Sequence, residues 1–304
     1  MRDRLVCCGL TTLDVTQVVD RLPGPDEKVV ADALTVTFGG PAANAAAVAV
    51  GLGVPTTLVT VLGAGPLADV ARAGLAAAGV DVVDLLAGAV DVLPVSTVLV
   101  TRTTGERAVV SVNGARAALV PEPDVAVLRG AGALLVDGHH ARAGLLLATA
   151  ARRAGVPVLL DGGSWKPTTP DLLAVVDLAV LSADLRLPGA AGGLGDERAV
   201  DALLDAVAAH GPAFVARSAG AGPVRVRHAG PSGVERTTLP IQAVDPGAVV
   251  DTLGAGDVLH GAMAAALARG AAPGEALARG TACATASVRH AGALGWLPTW
   301  PSGR

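Results

Sequence analysis

Asp251-Thr252-Leu253-Gly254-Ala255-Gly256-Asp257, followed by the apolar run Val258–Leu267, is the stretch on which the reading of this chain turns. Three small residues precede a carboxylate where a helix begins. Small residues let the backbone approach a ligand closely. The free N–H groups of a helix start favour an anion. An aspartate at that place can accept a proton from a neighbouring hydroxyl. Phosphoryl transfer needs both functions together. An isolated aspartate at a helix start is more often only an N-cap; the full heptad, with Gly261 one turn on, favours the chemical reading.

Upstream, Gly39-Gly40-Pro41 breaks the chain before Ala42–Leu52, an Ala/Val helix with one polar residue, Asn44. Leu5–Gly9 reads as a first buried strand. Val15–Val19 with Val29–Val36, and Ser96–Thr101 with Arg107–Val112, read as two hairpins outside the main sheet. Thr56–Leu62, Leu134–Val136, Val156–Leu160, Leu178–Leu181 and Ala213–Ala216 read as short strands. They are separated by helical stretches such as Leu67–Ala78, Ala141–Ala154 and Ala199–His210. That alternation predicts a parallel sheet covered on both faces. Gly189–Gly195 and Gly230–Gly233 read as surface turns.

Composition excludes several classes. The net charge is −4 and no basic block occurs. With two Phe, three Trp and no Tyr, the chain lacks both the cationic stripe and the stacking platforms of a nucleic-acid binder. Cys7, Cys8 and Cys283 have neither a disulfide framework nor zinc spacing, which predicts a reduced, cytoplasmic setting. Every apolar run is broken before about 18 residues, so no membrane span is expected. The first ten residues are too quickly interrupted to read as a signal peptide. His139-His140 lacks a third ligand at metal spacing.

DTLGAGDVLHGA (251–262) resembles the C-terminal signature of PfkB/ribokinase carbohydrate kinases, and Gly39-Gly40-Pro41-Ala42-Ala43-Asn44, with Gly51 and Gly53, resembles the N-terminal one. The opening GLTTLD and closing ALGWLPT also fit, so the resemblance covers nearly the whole chain. It implies a ribokinase-like α/β three-layer sandwich. A mostly parallel central sheet would carry a small β-lid, inserted in a single domain of residues 1–304 from about 14–36 and 95–112. It implies an ATP-dependent kinase that phosphorylates a sugar hydroxyl, with Mg²⁺ arriving on the ATP. Asp257 would be the base, and the backbone of Gly254, Ala255 and Gly256 the anion hole. Asp14, Gly39, Gly40 and Asn44 match sugar-contacting positions, and Arg107 reaches the site from its hairpin. Thr252, Ser182, Gly220 and Gly222 would lie along the nucleotide, with Cys283 and Ser287 in a helix flanking the adenine. Asp161-Gly162-Gly163 closes a strand on the nucleotide side.

The chain departs from the family where Asn-x-x-Glu is replaced by Ser182-Ala183-Asp184-Leu185, and where Thr-x-Gly-x-x-Gly reads Arg217-Ser218-Ala219-Gly220-Ala221-Gly222. The first departure and the opening motif resemble the ketohexokinase-like members, which points to a ketose. Lys28, Asn113 and Arg142 resemble the residues that hold an anionic group in the sulfofructose kinase branch, against a plain reading as surface polar groups. Exposed lid strands imply a homodimer. A nucleoside kinase of the same fold and an inactive binding module are the alternatives. A dinucleotide-dependent oxidoreductase lacks its Gly-x-Gly-x-x-Gly turn after the first strand.

Overall fold

The computed structural model describes residues 3–102, 107–112, 120–189 and 196–301. β1 (Arg4–Cys8) opens the chain. β2 (Thr12–Val19) and β3 (Ala33–Gly39) follow, then α1 (Pro41–Gly51), β4 (Thr56–Thr60), α2 (Pro66–Ala77) and β5 (Asp81–Asp84). β6 (Val95–Thr101) and β7 (Arg107–Ser111) precede a run of alternating elements. These are β8 (Ala131–Val136), α3 (Ala141–Arg153), β9 (Val158–Gly162), α4 (Thr169–Leu173), β10 (Leu178–Leu181), α5 (Glu197–Ala208) and β11 (Phe214–Ala219). A hairpin of β12 (Gly222–Gly230) and β13 (Gly233–Leu239) comes next, and α6 (Ala255–Ala268) and α7 (Pro273–Ser287) complete the fold.

The main sheet has the order β13-β12-β11-β10-β9-β8-β1-β4-β5. From β11 to β5 all neighbours are parallel; the β12–β13 hairpin is antiparallel. Buried strand residues alternate between two cores, as a period of two requires. Leu5, Cys7, Leu135, Leu159 and Val180 pack with α1, α2, α6 and α7. Val6, Cys8, Leu134, Leu160 and Leu181 pack with α3, α4 and α5. Each face is therefore covered by helices, and the polar carboxyl edge of the sheet is left as the open rim.

A second sheet, ordered β3-β2-β6-β7, leaves that rim. It extends to Gly39, three residues beyond the lid boundary expected at residue 36. The expected turn at Thr103-Thr104-Gly105 lies outside the described residues. The β12–β13 hairpin was not anticipated beyond its turn at Gly230–Gly233. Val224 and Val226 bury one of its faces in the core, and ion pairs tie the other to α5. Arg225 pairs with Asp201 at 3.0 Å, and Arg227 and Arg236 pair with Asp205 at 2.8 and 2.7 Å, which ties the hairpin to α5.

Candidate active site

The N-terminus of α6 opens on the carboxyl rim. Gly254 precedes it at φ 78°, a left-handed conformation that glycine adopts without strain, and no side chain caps the helix. The preceding loop is held by Asp251. One carboxylate oxygen accepts from Leu253 N–H at 2.8 Å and the other from Gly292 N–H at 2.9 Å. The Ala255 N–H is donated to the Thr252 carbonyl at 3.3 Å, so it is less free for an anion than the sequence implied. Gly256 differs from its neighbours: a Cβ built there meets nothing within 4 Å. Its Cα faces open space at the helix end, where the backbone N–H groups of the first turn lack intrahelical partners.

Asp257 stands on the first turn, and its Oδ2 accepts from Asn44 Nδ2 at 2.7 Å. That single bond joins the two signature motifs. Asn44 is placed by Gly40, whose φ of 97° and close approach to the Leu10 carbonyl start α1, with Pro41 in its first turn. Burial pushes the Asp257 carboxyl up to about 7, Asp161 and more weakly Asp137 add to the rise, and Asn44 and His260 oppose it. Asp137 is itself tied to backbone, accepting from Leu10, Ala42 and His139 N–H at 2.8, 3.3 and 2.9 Å. Asp161, near the carboxyl end of β9, is 7% exposed and 3.4 Å from His260 Nδ1. Burial raises its carboxyl.

On the lid side, Asp14 accepts from Thr12 Oγ1 at 2.7 Å. Its carboxylate fills the space where a Cβ on Gly39 would stand. Strand register places Thr37, Asp14, Ser96 and Ser111 in one polar row across all four lid strands. Arg107 reaches from β7 to the loop before α6, donating from Nη1 to Thr252 Oγ1 at 3.1 Å. Two residues of the expected anion subsite can be described. Arg142 pairs with Glu122 at 2.8 Å on the surface. Lys28 is exposed. Asn113 lies outside the described residues.

Among the residues expected along the nucleotide, Ser182 follows β10 and its Oγ accepts from Asp184 N–H at 3.1 Å. Gly220 and Gly222 form the tight turn between β11 and β12 at the same rim, with Gly220 at φ 58°. Two expectations are corrected. Cys283 is 3% exposed and packs against Val48, Val258, Ala262 and Trp296, so its thiol belongs to the core and does not line a groove. Ser287 is also buried, and its hydroxyl donates back to the Ala284 carbonyl at 2.9 Å. Sequence reasoning missed Asp137 and His260. His260 carried the same signal as Asn44, a lone polar side chain in an apolar helix.

With this geometry in hand, comparison with known proteins is direct. The family model described as pfkB family carbohydrate kinase matches residues 2–300. A ribokinase of Arabidopsis thaliana is 29% identical over 303 residues, covering 97% of this chain and 78% of that protein. The structure of Arabidopsis thaliana ribokinase complexed with ribose and ATP superposes with a TM-score of 0.79 at 25% identity, covering 99% of this chain and 96% of that one. An adenosine kinase of Anopheles gambiae, at 22% identity and TM-score 0.74 over 95% of this chain and 96% of that chain, shares the fold. The architecture is ribokinase-like: a large, mostly parallel sheet with a second small sheet.

Proposed function

The chain belongs to the pfkB family of carbohydrate kinases, and from that premise we propose that Asp257 takes the proton of a sugar hydroxyl as that oxygen attacks the γ-phosphorus of ATP. The observation that carries this reading is the 2.7 Å bond from Asn44 to Asp257. It ties the carboxylate at the start of α6 to the Gly39–Asn44 motif, which supports this reading. A carboxyl that ionises at about 7 is matched to proton transfer near neutrality. The open side of Gly256 and the uncapped first turn of α6 fit a phosphate group, whose developing charge backbone N–H groups stabilise.

Mg²⁺ would arrive on the nucleotide. Among the described residues no group of three or more His, Cys, Asp or Glu is placed to hold a metal, and this ion commonly keeps water and phosphate oxygens as ligands. Bound there, it would neutralise phosphate charge. Arg107, resting on Thr252, links lid position to the phosphate loop, so closure and phosphate binding support one another.

Asp14, Gly39, Gly40 and Asn44 would hold the sugar hydroxyls. The relative solved with ribose and ATP makes ribose a candidate beside simple ketoses. An anionic ketose would require Arg142 to leave Glu122 for the substrate. Three free, buried cysteines suit a reduced, cytoplasmic setting.

The test is ADP release from ATP·Mg against ribose, fructose, tagatose, fructose 6-phosphate, 6-deoxy-6-sulfofructose and adenosine, with wild type and Asp257→Ala. The variant should lose about 10²–10⁴-fold in kcat and still bind ATP. Near-normal turnover in Asp257→Ala would sink the assignment of the base. Turnover on the sulfonated or phosphorylated ketose alone would restore the anion subsite.

A further inference from the structure

Behind Asp257 the protein holds a second ionisable pair that the signature motifs do not account for. His260 lies one turn further along α6 and is 5% exposed. Its Nδ1 is 2.7 Å from the Gly256 carbonyl oxygen and 3.4 Å from Asp161 Oδ2. Its Nε2 is 3.1 Å from the Val180 carbonyl oxygen on β10. Both ring nitrogens therefore face oxygens that only accept. A neutral imidazole has one N–H and one lone pair, and would set that lone pair against a buried carbonyl. Two acceptors and a carboxylate call for two N–H donors, which only the imidazolium has. A buried cation needs a counter-charge, and Asp161 supplies it.

We infer that His260 and Asp161 form a buried imidazolium–carboxylate pair that positions the Gly256 phosphate-binding turn on the sheet and balances the charge around Asp257. The inference rests on Asp257 being the base. Neither residue reaches the reacting atoms; both act through Gly256 and Asp257, so they are positioning residues. His260 cross-links the anion turn to β10 through two carbonyls. The two charges pull Asp257 in opposite directions, Asp161 toward the protonated form and His260 toward the carboxylate.

The surroundings contain the other charges that enter the balance. Asp137, at the end of β8, acts on both Asp161 and Asp257. Lys166 and His139 act on Asp161. α1 contributes the neutral Asn44. The charged Glu275 and Arg279 of α7 pair with each other at the surface. Among these groups, His260 is the cation that acts on Asp257.

The two variants make the test selective. The acidic limb of the kcat/KM profile reports ionisation of the base. His260→Gln removes the positive neighbour and leaves Asp161, so that limb should move to higher pH by about one unit. Asp161→Asn removes the counter-charge, so the ring should lose its second proton and the limb should stay near its wild-type place; the double variant should also lie close to wild type. A merely structural role would lower the plateau without moving the limb in His260→Gln. A His260→Gln limb that stays in place would overturn the inference. If His260→Gln does not fold, Asp161→Asn still decides, because a ring that keeps both protons without Asp161 refutes the pair. Imidazole nitrogen NMR of the wild type near neutrality should show two protonated nitrogens on His260, and a single-tautomer neutral ring would refute the pair. Asp257→Asn separates the two readings. If it stays active the base reading falls, and the NMR count still decides the pair.

Discussion

Burial and Asp161 push Asp257 from 3.8, the value of an ordinary aspartate, up to about 7. Between those limits the native state keeps a proton that the unfolded chain has released. Stability therefore falls as pH rises through this window, and it stays lower above it. Asp257→Asn removes the ionisation and can keep a bond from Asn44. At pH 8 the variant should be more stable than wild type by on the order of 1–3 kcal/mol, and the difference should vanish below about pH 4. Thermal unfolding of the ligand-free protein at pH 4, 6 and 8 checks this; equal midpoints at pH 8 would place the carboxylate in water. Asp257 and Asn44 were legible in the sequence because each is polar where a run of small or apolar residues gives no packing reason for it. Cys283 was misread because α7 is rich in Ala and Gly, so its sequence shows too little contrast to say which face is buried. Asp161 was legible as a rim residue, but its partner comes from a helix about a hundred residues later, which local pattern does not reveal.

At the scale of the element, α6 carries two glycines with opposite reasons for being glycine. At Gly261 a Cβ would stand 2.5 Å from the Ala45 carbonyl oxygen, so this residue lets α1 and α6 pack backbone against backbone. At Gly256 a Cβ meets nothing. Gly261→Ala should cost about 1–3 kcal/mol of stability through overpacking. Gly256→Ala should fold at least as well as wild type, gaining up to about 1 kcal/mol of helix propensity, while losing most turnover because the methyl group occupies the phosphate's approach. Denaturant midpoints with ADP-release rates separate the two. A fully active Gly256→Ala would show that nothing approaches that face. The lid gives a smaller effect: Arg107→Ala removes one contact to Thr252 and should lower kcat/KM about fivefold. The βα alternation behind these elements was readable because buried parallel strands are continuous apolar runs. The β12 strand carries the other strand signal, alternation: Val224 and Val226 enter the core while Arg225 and Arg227 turn to Asp201 and Asp205, and only those partners on α5 lie beyond local pattern.

At the scale of the whole molecule, the lid sheet ends on β3 and β7 among the described residues, and one of its faces carries apolar side chains. Register places Val36, Val15, Thr97 and Val110 in one row on that face, opposite the row containing Asp14. Val110 is 75% exposed, Val36 44%, and Leu34, on the same face, 64%. A row of exposed apolar side chains on one sheet face favours packing against another apolar face, and a second copy of this lid offers the same surface in self-complementary form. Light scattering should therefore give a dimer. Val110→Asp should shift it to monomer without loss of fold, because the new carboxylates would approach one another across the two-fold contact. The monomer should also show a higher KM for the sugar, because the lid that presents Asp14 and Arg107 to the cleft would lose the contact that steadies it. A wild-type monomer would refute the pairing outright. A monomeric Val110→Asp with unchanged KM would keep the dimer and show that each lid closes independently of its partner.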